Sequence, residues 1–287
     1  MNKTKIEWCD MTWNPVTGCL HGCEYCYATQ IARRFGDRDC GYTSYPLEDE
    51  NKILALTMPI YGKDGRKLQF PYGFHPTFHR YRLNEPAEIK KPQNIFACSM
   101  ADLFGDWVPD KWIEEVFKAC TAAPQHRYLF LTKNPDRYYQ LSDDNYDDDN
   151  NVIGKQFSWG DSDDELECYF GASASTQEQA ESAYENLNCS WMSLEPLMDE
   201  FDEDFFVHDN RYSQSTETRW AWIVLGAETG NRKGKVTPKR AWIENILTNC
   251  RETGTPVFMK NNLVAIWGEP LIQEYPWEEK INDSQRS

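Results

Sequence analysis

The chain has 287 residues, of which 40% are hydrophobic and 14% aromatic, and its formal net charge is −16. This length and composition fit one large α/β domain or two smaller ones, each with a packed core. The acidic balance argues against a protein that coats nucleic acid nonspecifically, although it does not exclude an anionic substrate. Since the sequence shows neither a membrane-spanning apolar run nor a signal-peptide pattern, we predict no membrane contact and a cytoplasmic location.

Short apolar runs alternate with helical patterns along the chain. A first strand is predicted at residues 10–16, and it leads through a cysteine loop (residues 18–26) into a helix at 24–35. The later elements are predicted as strands at 94–100, 127–132, 168–172, 190–195, 220–226 and 256–260, and as helices at 110–122, 176–187 and 238–253. This alternation predicts a parallel sheet, either open or closed into a barrel.

Two segments interrupt the alternation of strands and helices. Residues 36–93 contain many Gly, Pro and aromatic residues without a clear period, and we predict that they form an irregular cap over the mouth of the barrel. Residues 142–167 are acidic and rich in Asn and Asp, which predicts a mobile surface insertion. We interpret the whole chain, residues 1–287, as a single domain that carries these two segments.

Three cysteines are the most informative feature of the sequence. Cys19, Cys23 and Cys26 form a C-x3-C-x2-C array, with the aromatic Tyr25 just before the last cysteine. Without a secretion signal, clustered cysteines favour a metal site over a disulfide framework. Three thiolates can bind three irons of a four-iron cluster and leave the fourth iron open to a small molecule. The spacing therefore indicates reactive chemistry more than a structural staple.

Zinc is the alternative metal for this array. A structural zinc ion commonly takes four ligands in C-x2-C pairs, and the sequence contains no second pair of that kind. A fourth ligand would have to come from His21, Cys9 or Cys40. We expect His21 to be a solvated loop residue rather than a ligand.

The array and its position after a strand and before a helix resemble the signature of the radical S-adenosylmethionine superfamily. The resemblance implies a full or partial (β/α) barrel and a 4Fe–4S cluster bound by Cys19, Cys23 and Cys26, whose open iron chelates S-adenosylmethionine. It further implies that an electron donor reduces the cluster, and that cleavage of the sulfonium gives a deoxyadenosyl radical that abstracts hydrogen from a substrate. In that family, Tyr25 would lie near the adenine.

Six segments resemble the strand-end motifs of a phage-associated family that carries a three-cysteine motif and has no established activity. They are TWNPVTGC (12–19), CSMADLFGDWVP (98–109), FLTKNPDRY (130–138), SLEP (193–196), LGAETG (225–230) and PVFMKN (256–261). The similarity extends over nearly the whole chain, with the insertions excepted. The resemblance supports the fold and the cofactor much better than the substrate.

One motif of the superfamily has a different form here. Many radical S-adenosylmethionine enzymes carry Gly-Gly-Glu at the end of the second barrel strand, where it meets the methionyl amino group. The equivalent place in this chain reads Ser99-Met100-Ala101-Asp102. Ser99 and Asp102 offer acceptors of the needed type, so we expect them to take this role.

Polar residues follow most of the predicted strands, and in a barrel they would converge on one mouth together with the cluster. Ionised carboxylates at Glu195 and Glu228, which follow apolar runs, need a cationic partner such as Lys133, Lys260 or the cofactor itself. As an alternative, these carboxylates and lysines pair with one another and serve only to stabilise the barrel. The predicted cofactor contacts are Tyr25, Ser99, Asp102, Ser173, Glu195 and Glu228, and the predicted substrate contacts are Lys133, Asn134, Arg232 and Lys260.

Two basic stretches bear on the substrate. Residues 63–93 mix cations with aromatic side chains, and residues 232–240 carry five cations without an acid. Such stretches suit phosphate contact and base stacking, with an ordinary solvated face as the alternative. We therefore favour a radical S-adenosylmethionine enzyme that acts on nucleic acid or a nucleotide. The second hypothesis is a non-catalytic zinc or iron–sulfur module that docks a partner or nucleic acid.

Overall fold

The computed structural model describes residues 1–36, 54–142, 166–186, 188–208 and 217–278. Two compact units divide the chain: Met1–Ala172 with Glu185–Cys189, and Ser173–Tyr184 with Ser190–Ser287. Within the described ranges, no helix has the length and apolar character needed to cross a bilayer. Closure of the strands into a barrel and a single domain over 1–287 stay predictions.

The first unit alternates strands and helices. Its elements in chain order are β1 (Asn2–Lys3), β2 (Met11–Trp13), β3 (Val16–Thr17), α1 (Tyr27–Phe35), β4 (Ala55–Leu56), β5 (Thr77–His79), β6 (Asn94–Ala97), α2 (Asp110–Thr121), β7 (Arg127–Thr132), α3 (Asp136–Ser142) and β8 (Glu167–Ala174). Strands β1, β2, β6, β7 and β8 lie side by side in that order, with β1 antiparallel to β2 and the other neighbours parallel. Strands β3, β5 and β4 form a separate small sheet.

Aromatic side chains fill the core of the first unit. Residues 128–130 at the centre of β7 are fully buried, and Phe130 stacks on Phe117 of α2 with ring centroids 5.0 Å apart. Phe170 of β8 stacks on Phe130 at 5.5 Å. Helix α2 buries Ile113, Val116 and Phe117, whose spacing places them on one face. The predicted elements at 94–100, 110–122, 127–132 and 168–172 are confirmed by β6, α2, β7 and β8.

The predicted strand at 10–16 is wrong as a single element. The segment forms β2 and β3, which belong to different sheets, with Pro15 between them. Proline has no N–H to continue a ladder, which explains the break. The helix predicted at 24–35 begins only at Tyr27, because Cys26 is its N-cap.

The two interrupting segments are described only in part. Residues 37–53 of the predicted cap and residues 143–165 of the predicted acidic insertion lie outside the described ranges. The described part of the cap contains β4 and β5, which the sequence pattern did not predict. Phe70, Phe78 and Arg82 of this segment are buried, so these members of the basic and aromatic stretch serve the core rather than a stacking surface.

The second unit is also built on parallel strands. Its elements are α4 (Gln177–Glu185), β9 (Trp191–Leu194), β10 (Val207–His208), β11 (Glu217–Thr218), β12 (Trp222–Leu225), α5 (Arg240–Thr253), β13 (Val257–Met259) and α6 (Val264–Trp267). Strand β12 lies between β9 and β13 and is parallel to both, while β10 and β11 form an antiparallel pair. Gly254, with φ of 71°, ends α5 in the left-handed conformation that favours glycine. The predicted elements 176–187, 190–195, 220–226, 238–253 and 256–260 are thereby confirmed.

Candidate functional site

The cysteine loop joins β3 to α1 and is fixed at its start. The N–H of Gly18 donates to the carbonyl of Met100 at 2.9 Å, and the N–H of Cys19 donates to the carbonyl of Phe74 at 3.1 Å. Gly18 also forms a parallel bridge with Ala101 in the turn after β6. The loop therefore begins at the carboxyl end of β6, where active sites of parallel α/β folds are found.

Gly18 allows a close approach that no other residue would permit. Its φ is 89°, and a Cβ built on it would lie 2.2 Å from the carbonyl oxygen of His75. A side chain would both strain the backbone and collide with another main chain. The position just before the first cysteine is therefore restricted to glycine.

The last cysteine of the array is the N-cap of α1. The Cys26 sulfur accepts a hydrogen bond from the N–H of Thr29 at 3.4 Å, in the place where Ser or Asp usually stands. The Cys26 sulfur therefore lies at the amino end of a helix, which carries partial positive charge. All three cysteines of the loop are free and partly exposed.

The thiols of the loop affect one another electrostatically. Burial, together with the charges of Asp102, Cys23 and Cys26, raises the pKa of Cys19 to about 12, against a hydrogen bond from the backbone of His21 that lowers it. Burial also raises the pKa of Cys23, against the opposing charge of Lys133. A metal ion would reverse this preference, because coordinated thiols are deprotonated.

Trp107 supplies a buried donor beside the loop. Its indole N–H is buried and has no hydrogen-bond partner among the described residues, and its ring meets the His21 ring edge-on at 4.8 Å. A buried donor without an acceptor is unfavourable by about 1–3 kcal/mol. A ligand with acceptor atoms, such as a sulfide or a carboxylate, would remove this penalty.

The side chains of the cysteine loop and its surroundings have the chemistry that a metal–sulfur group needs. Three neighbouring thiols and an unused buried donor have the chemistry that such a group requires. Within the described ranges, no three His, Cys, Asp or Glu side chains already stand in the geometry of a metal site. The residues of the loop fit the group by the chemistry of their donors.

Asp102 connects the cysteine loop to the ends of β6 and β7. Its buried carboxylate accepts from the Thr132 hydroxyl at 2.8 Å, the Lys133 N–H at 2.9 Å and the Phe104 N–H at 3.0 Å. The Nε2 atom of His21 lies 2.7 Å from its Oδ2 atom. These four contacts match the acceptor capacity of a carboxylate, so Asp102 holds the loop in place.

These contacts bear on two sequence predictions, for His21 and for Asp102. The prediction of a solvated His21 is wrong, because its side chain is only 23% exposed and is held between Asp102 and Trp107. A contact of Asp102 with the cofactor stays a prediction, and it would have to share oxygens that already accept from the protein.

Ser99 has a similar structural use in the turn after β6. Its hydroxyl donates to Oδ1 of Asn14 at 3.1 Å, and its carbonyl accepts from the Tyr27 hydroxyl at 2.6 Å. The preceding Cys98 has a φ of 57°, which is rare for a residue other than glycine. The turn that presents Ser99 and Asp102 is therefore held in a strained backbone conformation.

Lys133 and Asn134 follow β7 on the same side of the first unit. The Lys133 ammonium donates to the Tyr25 hydroxyl at 3.2 Å and lies 5.5 Å from the centre of its ring. The Asn134 amide donates to the carbonyl of Phe104 at 3.0 Å and to Asp106 at 2.7 Å. The structure thus brings Lys133, at the end of β7, into contact with Tyr25 of the cysteine loop. Asn134 instead binds residues of the turn after β6.

The charged residues of the second unit pair with one another. The Lys260 ammonium lies 2.6 Å from Oε1 of Glu195, whose other oxygen accepts from the Ser193 hydroxyl at 3.0 Å. A Cβ at Gly226 would lie 2.8 Å from the Glu195 carboxylate, so glycine leaves room for the pair. Lys260 was one of the two protein cations predicted for this role. Ser173 is partly exposed in β8.

Glu228 takes a partner that the sequence assigned to the substrate. Arg232 donates to both of its oxygens, at 2.8 and 2.9 Å, and the N–H of Val236 donates at 3.3 Å. The hydrogen bonds from Arg232 lower the pKa of Glu228 below its ordinary value, against the effect of burial. Glu228 and Arg232 therefore form an ion pair within the protein, as in the alternative in which the strand-end charges pair with one another.

Sequence reasoning missed the roles of Trp107 and Asn14. Both lie in segments that drew attention as strand-end motifs, but no pattern rule connects an indole or an amide to a distant loop. Gly105 gives the only local signal, since a Cβ there would lie 2.4 Å from the Trp107 ring. A glycine two residues before a tryptophan can mark a place where the ring folds back onto the backbone.

Comparison with known proteins gives a family without a function. No curated protein and no solved structure matches the chain. Residues 3–275 match the family described as "Protein of unknown function (DUF5131)". The match includes the cysteine loop, Asp102 and Trp107 of the first unit and both ion pairs of the second. On this coverage, the chain belongs to the DUF5131 family.

Proposed function

We propose that the chain is a radical S-adenosylmethionine enzyme that binds a 4Fe–4S cluster through Cys19, Cys23 and Cys26. The observation that carries the proposal is the presence on one loop of three free, partly exposed thiols whose charges act on one another. When bound, such a cluster supplies an open iron for S-adenosylmethionine and an electron for cleavage of its sulfonium bond. The resemblance of the cysteine array to the superfamily signature supports the same reading.

Positive charge lies beside two of the three thiols. The charge of Lys133 opposes the burial that raises the pKa of Cys23, and the N-cap position of Cys26 places its sulfur at the positive end of α1. The Trp107 indole offers a donor to a sulfur or carboxylate acceptor. Donors around metal-bound sulfur tune the properties of iron–sulfur sites.

Asp102 and Lys133 orient the loop. Through His21, Asp102 ties the middle of the cysteine loop to the turn after β6. Lys133 holds the hydroxyl of Tyr25, and it thereby fixes the ring that the resemblance places near the adenine. We propose that these two residues position the loop rather than contact the reacting atoms.

The substrate class is proposed as nucleic acid or a nucleotide. Several cations of residues 63–93 have partners within the protein, such as Arg80 on Glu115 at 2.8 Å. The exposed cations of that stretch are Lys63, Arg66, Lys67, Lys90 and Lys91. These exposed cations suit phosphate contact and support the proposal. A cytoplasmic location, where thiols stay reduced, and a separate electron donor complete it.

Anaerobic reconstitution tests the proposal. The wild-type chain should bind about four irons and four sulfides, and after reduction it should release 5′-deoxyadenosine from S-adenosylmethionine. Cys23→Ala should lose the absorption of the cluster and the product. Cys168→Ala is the matched control, because Cys168 is also free and partly exposed but lies in β8, and it should behave as the wild type.

One result would replace the proposal with the second hypothesis. A colourless wild-type protein that binds zinc and forms no 5′-deoxyadenosine would indicate a non-catalytic metal module. Loss of that zinc in Cys23→Ala would then assign the module to the cysteine loop.

A further inference from the structure

An apolar stripe lies on the surface beside the ligand cysteines. Seven large hydrophobic side chains of the described ranges are exposed, and four of them belong to the cysteine loop or α1. These four, which we call the α1 stripe, are Leu20, Tyr27, Ile31 and Phe35. Single exposed apolar residues need no explanation, but a contiguous group marks an interaction site.

Helical spacing puts three members of the α1 stripe, all except Leu20, on one face of the helix. Tyr27, Ile31 and Phe35 recur every four residues, so they line up along about 12 Å of the helix. The helix is attached to the unit by a neighbouring face, through the buried Ala28 and Ala32. On the exposed face, the Tyr27 hydroxyl donates to the carbonyl of Ser99, while the rings and chains of the stripe remain open to solvent, with Phe35 60% exposed.

Positive charge accompanies the stripe. Arg33 and Arg34 are exposed in the last turn of α1, and the helix sequence YATQIARRF contains no acid. The whole chain carries a net charge of −16, so this is a basic patch on an acidic protein. The two arginines would attract an acidic partner to this patch.

We infer that the α1 stripe, with Arg33 and Arg34, is the docking surface for an acidic one-electron donor protein. The inference rests on the proposed function. Tyr27 directly follows Cys26, so a donor on this stripe would stand beside the ligand cysteines. Electron transfer slows steeply with distance, which favours a donor bound close to the cysteine loop. Redox partners bind through small, transient interfaces, and a patch of four apolar side chains and two arginines is of that size.

The electron balance of this contact is simple. One electron leaves the reduced cofactor of the donor and enters the group bound by the cysteine loop. The donor is oxidised by one electron, and no atom is exchanged. Docking and release must alternate with turnover, which agrees with a weak interface that ionic strength controls.

Two double variants test the surface without touching the proposed ligands. Arg33→Glu with Arg34→Glu reverses the charge, and Ile31→Glu with Phe35→Glu disrupts the apolar face. Lys111→Glu with Lys118→Glu on exposed positions of α2 matches the first change in charge. Met58→Glu with Tyr61→Glu, both strongly exposed, matches the second.

The measurement is the rate at which the reconstituted protein loses its visible absorption when mixed anaerobically with a reductant. A reduced acidic flavodoxin should reduce both α1 variants about tenfold more slowly than the wild type at low salt. Added salt should make the reduction rates of the charge-reversal variant and the wild type equal. Dithionite, a small ion that needs no protein contact, should reduce all variants and the wild type alike.

The outcomes separate this inference from the proposed function. Variants that flavodoxin reduces at the wild-type rate would overturn the docking surface and leave the proposed function standing. A wild-type protein that takes up no iron would contradict both the docking surface and the proposed function. A wild-type dimer that Ile31→Glu with Phe35→Glu makes monomeric would assign the stripe to a second copy of the chain. Unchanged reduction with lost oligonucleotide binding would assign the stripe to nucleic acid.

Discussion

The cysteine loop of the first unit and the strand ends of the second unit use buried charge in different ways. In the first, the carboxylate of Asp102 collects hydrogen bonds from a loop and from two strand ends. In the second, Glu195 and Glu228 each bind a cation of their own unit. The same sequence pattern, an apolar strand followed by a polar residue, therefore gives an anchor in one region and closed ion pairs in the other.

The difference indicates where chemistry should be sought. The region of the cysteine loop keeps partly exposed thiols and an indole N–H that no described residue accepts. The ion pairs of the second unit satisfy their charges internally. A region that already satisfies its polar groups can support a fold, while one with unused donors can receive a ligand.

The largest effect is expected from Asp102→Ala. The substitution leaves buried donors from Thr132, Phe104 and Lys133 without their acceptor, and it should lower the free energy of unfolding by about 3 kcal/mol. Urea denaturation measures this change. Asp106→Ala, which alters an exposed carboxylate in the same turn, should change it by less than about 1 kcal/mol. Equal losses in both variants would show that Asp102 is not an anchor.

Next in size is Glu228→Gln, which tests the closed pair with Arg232. Glutamine keeps the shape but weakens the double hydrogen bond, so unfolding should require about 2 kcal/mol less at pH 7. Because Arg232 lowers the pKa of Glu228 in the folded state, the ionised carboxylate stabilises the fold above the ordinary pKa of 4.5. This contribution is lost as the pH falls through the lowered pKa.

The pH dependence gives this prediction its control. The difference between wild type and Glu228→Gln should be largest above pH 4.5 and should shrink under more acidic conditions. Glu244→Gln removes a similarly spaced but half-exposed partner of Arg240, and it should change stability by less than about 0.5 kcal/mol. A difference that is constant with pH would contradict the assigned pairing.

A smaller effect is expected from the pair of Glu195 and Lys260. Both side chains are about one-fifth exposed, and their closest atoms are 2.6 Å apart. A double-mutant cycle with Glu195→Gln and Lys260→Met should give a coupling energy of about 1 kcal/mol. If Lys260 instead served only a substrate, the two substitutions would be additive in chemical denaturation of the free protein.

The smallest effect is expected from Lys133→Met. Loss of the positive charge should raise the pKa of Cys23 further, since Lys133 opposes the effect of burial on that thiol. Alkylation of the metal-free protein, followed site by site with mass spectrometry, should slow at Cys23 by about two- to threefold at pH 8. Lys111→Met on α2 supplies the control. An unchanged alkylation rate at Cys23 in Lys133→Met would show that the charge of Lys133 does not act on this thiol.

Much of the fold could be predicted because its strands are uniformly apolar. The run at 127–132 matches β7 to the residue, and α2 shows the spacing of a helix packed on one face. The break at Pro15 had a local signal in the proline itself, but the aromatic and apolar residues on both sides of it read as one strand of seven residues. The late start of α1 was missed because cysteine is an uncommon N-cap.

The candidate site could be predicted only in its composition. Spacing along the sequence identifies Cys19, Cys23 and Cys26, and strand ends identify Asp102 and Glu228 as polar residues near an edge. Which donor meets which carboxylate depends on contacts between distant residues. His21 and Asp102 are 81 positions apart. For Glu228 a local signal was present, because Arg232 stands only four residues further along the chain.

The tight contact at Gly18 has a consequence for recognising related proteins. Because His75 leaves no space for a side chain there, a sequence could retain all three cysteines and still be unable to shape the loop. A search pattern for this family should therefore begin one position earlier, as G-C-x3-C-x2-C. Homologues that keep the cysteines but replace that glycine are the ones in which an altered or abandoned chemistry should be looked for first.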